Sequence, residues 1–386
     1  MPTPGGESRE KIMLDHSAMN GTPAELPNGS NATGFSGVVL SSDTEIRRLR
    51  QVARRLMPQE VDPMQDPEFF LASVPAGWRP RVVAIHRGCE IAGIMYVMER
   101  VCAGIPSGIV YADGSLSSPL LGDASHRQIL FQVAVESLLA HPRVRSVCLT
   151  FPQESDDFEA IKQAAGAMGL EVRYPSALLN PSKNHAHLAL PSTYEEFVKR
   201  LGYRTRYDFR YYRRRFEAAG HCLVEHLSMD ELRSAVSRLA PKSKLYGKHL
   251  WDPPELQVNL VATTDRPLAM GLKHQNGEWL SVAAGWYRPC GAVLYFQCNS
   301  DQEFDEYSLS LVLRAYLIEH LIRLKLEDLV LWWGTRPPLS RYVTYVPATV
   351  VRFDDPALWW RVTRTVIAAA RPHLPERWAE AARWFA

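Results

Sequence analysis

Residues 201–221 read LGYRTRYDFRYYRRRFEAAGH. From Lys199 to Phe216 the chain carries one lysine and seven arginines (Arg200, Arg204, Arg206, Arg210, Arg213, Arg214 and Arg215), with four tyrosines and two phenylalanines. That density suits a nucleic-acid arm, a surface for an anionic small molecule, or the polar face of an ordinary helix. Periodicity orders the choice. Leu201, Thr205, Phe209, Tyr212 and Phe216 recur at helical spacing and form a seam for a core. The arginines take the remaining surface and Gly220 stops the helix. The spacing predicts one helix over Tyr194 to Ala219, opening the second of two α/β units.

The rest of the composition agrees with an ordinary globular protein. At 386 residues the chain is long for one domain and suits two. Hydrophobic residues are 46% and charged residues 22%, enough to bury a core. Basic and acidic side chains number 44 and 42, a formal net charge of +2. A dedicated nucleic-acid binder carries a basic excess over its whole domain, so the arginine cluster is a local asymmetry. The six cysteines (Cys89, Cys102, Cys148, Cys222, Cys290 and Cys298) lack CxxC spacing and read as buried free thiols of a reduced compartment. No apolar stretch reaches the length of a membrane span, and the N-terminus has no apolar signal-peptide core, so the expected location is cytoplasmic.

Residues 1–35, rich in Gly, Pro, Ser and Asn, are expected to be a disordered leader. Residues 36–184 read as a first domain. It runs from a strand at Phe35–Leu40 and a helix behind Ser42 and Asp43 to a hairpin turning at Arg87–Glu90 and a strand at Gly108–Tyr111. A helix over His126–Leu139, a strand at Ser146–Phe151 and a helix over Asp156–Met168 complete it. Residues 185–353 repeat that grammar, with segments 256–264 and 268–274 flanking a turn at Asp265-Arg266-Pro267. Strands follow at 279–286 and 292–298, then a helix over 307–324 and a strand at 328–333. Residues 354–386 are helical and rich in tryptophan.

Several reaction signatures are absent: GxxxxGK[ST], GxGxxG after a strand, GxSxG and HExxH. His185 and His187 share one strand face and are a candidate metal pair, but no third ligand stands at useful spacing. Two segments carry more. A strand running through an acidic loop into Tyr307-Ser308-Leu309-Ser310 and a long helix is the geometry that gathers unpaired amides around a phosphate. Ser308 or Ser310 serves equally well as a plain N-cap, and Asp301, Glu303, Asp305 and Glu306 would repel an anion. In Trp332-Trp333-Gly334-Thr335-Arg336 a strand ends where it would part from its neighbour. One tryptophan fits the core; the other, with Arg336, Arg341 and Tyr342, would line a cleft.

Taken together, these segments resemble the FemAB-like branch of the GNAT acyltransferases, particularly its cellulose-biosynthesis-type (CelD/BcsL) acetyltransferase domain. The similarity rests on the helix from Tyr194 through Arg213-Arg214-Arg215-Phe216-Glu217 to Gly220 with the strand Leu223-Val224-Glu225. It rests also on Asp265-Arg266-Pro267-Leu268-Ala269-Met270-Gly271-Leu272, and on the Tyr307 helix leading to Trp333-Gly334. The first half is similar to a degenerate first domain of that family. Where the family has Pro-Gly before the long helix, this chain has Leu309-Ser310.

The resemblance implies an α/β fold of two tandem GNAT-like domains, each a mixed, mostly antiparallel sheet flanked by helices, followed by a C-terminal helical tail. It implies transfer of an acyl group from acyl-CoA, or an acyl carrier protein, to an amine or hydroxyl acceptor by direct attack, without a metal. Amides around Ser308, Leu309 and Ser310, with Arg206 and Arg210, would hold the donor's phosphates. Tyr342 or Tyr307 would serve the leaving thiolate, and Trp333, Arg336 and Arg204 the acceptor. Two alternatives stand beside this: a non-catalytic tandem-GNAT scaffold, and RNA binding through the arginine helix.

Overall fold

The computed structural model describes residues 34–57, 62–102, 104–175, 185–244, 253–301, 303–332, 334–335, 338–355, 357–375, 379 and 382–385. Phe35–Ala386 form one compact unit. The expected leader lies outside the described residues except for Gly34 and Phe35, the latter opening the first strand.

The first half runs β1 (Phe35–Leu40), α1 (Asp43–Arg48), α2 (Arg50–Leu56), α3 (Pro67–Ser73), β2 (Trp78–Arg87), β3 (Glu90–Cys102), β4 (Ile105–Asp113), β5 (Leu120–Gly122), α4 (Arg127–Ala140), β6 (Ser146–Pro152) and α5 (Asp156–Met168). The second comprises β7 (Ala186–Ala189), α6 (Tyr194–Arg200), α7 (Tyr203–Ala218), β8 (Cys222–Val224), α8 (Met229–Leu239), α9 (Pro254–Ala262), β9 (Pro267–Lys273), β10 (Trp279–Arg288), β11 (Gly291–Asn299), α10 (Leu309–Arg323), β12 (Asp328–Leu331) and β13 (Thr344–Tyr345). β14 (Ala348–Asp354) and α11 (Leu358–Ala370) close the chain.

Two sheets result. One has the order β1-β2-β3-β4-β6-β14, with β5 on β3; the other has the order β13-β7-β12-β11-β10-β9-β8. Each contains one parallel pair, β4 with β6 and β11 with β12. The halves repeat: strand, helices, three antiparallel strands, a helix, and a strand parallel to the last. The repeat begins at β8, a full helix later than the sequence grammar suggests. The halves also trade strands. β7, which follows the first half, pairs with β12; β14, which follows the second, pairs with β6 over seven residues. The boundary read at residue 353 therefore falls inside a strand of the first sheet.

Burial explains the layering. β9, β10 and β11 are almost continuously apolar, as central strands covered on both faces must be. One face of the second sheet buries Leu268, Met270, Leu272 and Leu294 beneath α6, α7 and α10. The other buries Val258, Trp286 and Phe296 with α8 and α9, and takes Phe69 from the first half. α10 is apolar nearly all round because it is buried nearly all round. Trp360 and Trp384 of the tail cover β4, β6 and β14 through Ile109, Cys148 and Val350.

Three local readings change. The helix expected over 194–219 is two helices: Leu201 is extended (ψ 141°) so that its side chain reaches the core, and Gly202 restarts the chain as the N-cap of α7. Residues 256–264, read as flanking a hairpin turn, fall largely in the helix α9, which ends at Ala262, and the hairpin is β9 with β10. Only Cys148 and Cys298 are buried; all six thiols are free, but Cys89, Cys222 and Cys290 are exposed.

Candidate functional site

The parallel pairs of the two halves differ where it matters. In the first sheet β4 and β6 stay in register to the end of β4, from Ile109 opposite Ser146 to Asp113 opposite Thr150. In the second, β11 and β12 pair only from Gly291 opposite Asp328 to Leu294 opposite Leu331. A last bond runs from the Trp332 amide to the Leu294 carbonyl at 3.0 Å. β12 then stops, while β11 continues five residues to Asn299. A bulge produces the divergence: opposite β10 the register jumps between Ala284 and Gly285, leaving Tyr295 as the extra residue. Gly285 permits this, because a β-carbon there would lie 1.8 Å from the Val293 carbonyl oxygen.

β11 leads into the acidic loop and α10. Ser308 adopts a left-handed conformation (φ 50°, ψ 52°) and its hydroxyl caps nothing. Ser310, where the family has glycine, lies inside the helix. The carbonyl of Ser308 accepts the amides of Leu311 and Val312, while those of Leu309 and Ser310 have no acceptor among the described residues. The acidic loop is less repulsive than its composition suggests. Glu303 pairs with Lys242 at 2.8 Å and Asp305 with Lys244 at 2.9 Å. Burial raises the pKa of Asp301, against the pull of Lys244.

On the α10 side of the opening, Arg314 reaches between the diverging strands. Its Nε donates to Gln297 Oε1 on β11 at 3.1 Å, and its Nη1 to Thr335 Oγ1 beyond β12 at 2.8 Å. Gln297 Nε2 in turn donates to Asn299 Oδ1 and the Ser310 carbonyl. Arg314 lies deep in the protein but keeps a solvent-reachable edge, as do Gln297, Ser310 and Thr335. Burial pushes its pKa down to about 10, so it stays charged near neutrality.

The opposite face is aromatic and built from both halves. Trp332 lies 5.5 Å from Trp286 and 5.5 Å from Tyr295, and Phe69 packs edge-on to Trp286 at 5.0 Å. His185 lies 4.4 Å from Trp332, and its Nδ1 is 2.7 Å from the Trp332 carbonyl. A carbonyl only accepts, so Nδ1 carries the proton and Nε2 the lone pair. Burial keeps the pKa below its ordinary value, with Asp113 of the first half opposing that shift. His187 is paired with Asp328 at 3.2 Å. No group of three metal-ligating side chains occurs among the described residues.

The other residues singled out in the sequence fall at two ends of α7. Arg215 donates to the Glu306 carbonyl and lies over the Tyr307 ring, so Tyr307 stands at the loop before α10. Tyr342 sits at the opposite end, its hydroxyl accepting the Gly202 amide at 2.7 Å. The thirteen steps from Gly202 to Arg215 span about 20 Å of helix, so the two tyrosines do not share a site. Arg206 holds the Lys199 and Leu201 carbonyls at the end of α6. Arg210 lines a shallow hollow of about 610 Å³ with Arg206, Arg214, Tyr203, Tyr207 and Tyr211, all on α7; Arg204 is exposed nearby. Trp333 and Arg336 lie outside the described residues. Sequence reasoning missed Gln297, Arg314 and Thr335. The one available signal was a lone arginine within the otherwise apolar run of α10.

At the corresponding place in the first half, where α4 begins, a hollow of about 800 Å³ is lined by four carboxylates, Asp123, Asp156, Asp157 and Glu159, against one cation, Arg127, which pairs with Asp157. Those carboxylates disfavour an anionic ligand, and no parted strands lie beside them.

No protein-family model matches the sequence, and comparison with curated proteins finds no match. Solved structures do match in fold. The crystal structure of FemX superposes with a TM-score of 0.59 at 11% identity, covering 85% of this chain and 99% of that one. A conserved protein of unknown function from Bacteroides thetaiotaomicron superposes at 0.54 and 9% identity, covering 82% and 100%. The C-terminal domain of a putative lysylphosphatidylglycerol synthetase from Agrobacterium fabrum superposes at 0.50 and 12% identity, covering 81% and 93%. By topology the chain consists of two similar α/β units in tandem, and by these superpositions its fold is similar to that of FemX.

Proposed function

We propose that this protein is an acyltransferase. Its second half takes an acyl thioester between β11 and β12 and passes the acyl group to an amine or hydroxyl. The observation that carries this reading is the parting of the parallel pair after Leu294 and Leu331, beside a helix start with two amides that have no acceptor among the described residues. The fold it shares with FemX supports a transferase, and the acidic, unparted counterpart in the first half leaves the chemistry to the second. The donor is acyl-CoA or a carrier-bound acyl chain; its phosphates would meet the Leu309 and Ser310 amides, a fit that helix starts offer anions generally. The acceptor's nitrogen or oxygen attacks the thioester carbon from the aromatic face, the carbon–sulfur bond breaks, and the thiolate departs. His185 Nε2, neutral and oriented by the Trp332 carbonyl, would take the acceptor's proton. Catalysis is then mostly positioning within an enclosed opening. Free thiols fit a reducing, cytoplasmic setting.

The α7 hollow favours a second reading, binding of single-stranded RNA through Tyr207 and Tyr211, which stack at 5.6 Å, and their flanking arginines. Calorimetry with acetyl-CoA and longer acyl-CoAs, thiol release over a panel of amines and alcohols, and a single-stranded RNA control separate the two. Acceptor-dependent thiol release supports the acyltransferase. Absence of acyl-CoA binding together with absence of transfer from a carrier-bound acyl group overturns it. Salt-sensitive RNA affinity in its place, lost on Arg210→Ala with Arg214→Ala, establishes the second reading.

A further inference from the structure

Arg314 is a charged group inside the protein with no opposite charge beside it among the described residues. Among the described residues no carboxylate lies within ion-pair distance of it, and its two hydrogen bonds go to a neutral amide and a neutral hydroxyl. The other arginine of α10, Arg323, has Glu225, and Arg213 of α7, which packs on α10, has Glu217 and Glu319. An uncompensated guanidinium in a poorly solvated place is costly, and an apolar residue of similar volume would stabilise such a position as well or better. Arg314 is nonetheless held firmly, its fork fixed by Gln297 and Thr335 on the two sides of the opening, with its edge open to solvent. A planar fork fixed in this way is suited to the paired oxygens of a carboxylate or phosphate.

We propose that Arg314 receives an anionic group of the bound substrate, a carboxylate or a phosphate, within the opening between β11 and β12. The site is separate from the amides at the start of α10, since Arg314 lies more than a helical turn further along. It rests on the reading of the opening as the donor site only for which molecule carries the anion. Three sources share the chemistry: an acidic acyl group, the diphosphate of the donor, and a free acidic acceptor.

The test compares the full-length protein with Arg314→Met and Arg314→Lys, by calorimetry and thermal shift at matched ionic strength. The probes are inorganic pyrophosphate, glutarate, acetyl-CoA and succinyl-CoA. Arg314→Met should melt at or above the wild-type temperature, because it removes an unpaired charge, and should bind the responding anion at least 10-fold more weakly. Arg314→Lys keeps the charge, loses the fork and should fall between. Succinyl-CoA binding 10-fold tighter than acetyl-CoA places the anion on the acyl group, pyrophosphate binding places it on the donor, and glutarate binding on a free acid. Unchanged affinities in Arg314→Met overturn the proposal while leaving the acyltransferase reading intact. Failure of the wild type to bind any probe overturns it too. Binding of pyrophosphate or glutarate through Arg314 without any CoA response upholds it and counts against the acyl-CoA donor.

Discussion

Replacing Gly285 with alanine tests the feature that parts the strands. Gly285 lies opposite Leu294, immediately before the jump that leaves Tyr295 as the extra residue of β11. A methyl group on Gly285 would stand 1.8 Å from the Val293 carbonyl oxygen, 2.8 Å from its carbon and 3.0 Å from the Tyr295 nitrogen. All three are backbone atoms in the centre of a buried sheet, so no side chain can rotate away. β10 and β11 must separate by more than an ångström or abandon the bulge. Overpacking of a buried site costs about 1–3 kcal/mol, and a displaced backbone ladder puts this substitution at the upper end, about 3 kcal/mol. Urea denaturation followed by circular dichroism reads the loss as a lower midpoint at unchanged slope. Gly166→Ala is the control, because a β-carbon there meets nothing within 4 Å and the residue sits in the exposed part of α5. Acyl-CoA affinity in the Gly285→Ala protein should fall as well. A loss of stability below about 1 kcal/mol would refute the claim that this glycine makes the bulge.

Further outcomes follow from single residues. Ser308→Val should destabilise by about 1–2 kcal/mol in thermal melts, since a branched side chain resists the left-handed conformation, whereas Ser308→Gly should not. Tyr342→Phe should lower stability by about 0.5 kcal/mol, because the exposed Gly202 amide exchanges the tyrosine hydroxyl for water, and should leave acyl-CoA affinity unchanged, because it acts at the far end of α7. His221 and His320 are held neutral chiefly by burial, with His274 adding to the shift at His221 and Glu225 opposing it at His320. Their folded pKa values lie below the unfolded value, so the stability they contribute is present above about pH 6.5 and is lost as pH falls. Melting temperature should drop between pH 7 and pH 5, and less steeply in His221→Gln.

The repeated α/β grammar was legible because it rests on local patterns. The apolar seam of α7 shows it: Phe209 and Phe216 are at most 2% exposed, as their spacing requires. The strand end at Trp332 was legible too, from a glycine following an apolar run. What escaped was non-local. Nothing in Ala348–Asp354 distinguishes pairing with β6 from pairing in its own half, since an apolar strand fits either sheet. The interruption at Leu201-Gly202 depends on where the core lies. His185 read as half of a metal pair because strand alternation shows which residues share a face, not that Trp332 faces one of them. Arg314 looked like a flaw in an apolar helix until the parted strands on either side were in place.

The most direct test of the central claim is hydrogen–deuterium exchange of the full-length protein with and without saturating acetyl-CoA. The donor site proposed here predicts slower exchange confined to residues 295–312 and 332–335, strongest at the amides of Leu309 and Ser310, which have no acceptor among the described residues. Protection on the tyrosine face of α7, at residues 122–128 beside the acidic hollow, or nowhere, would contradict it.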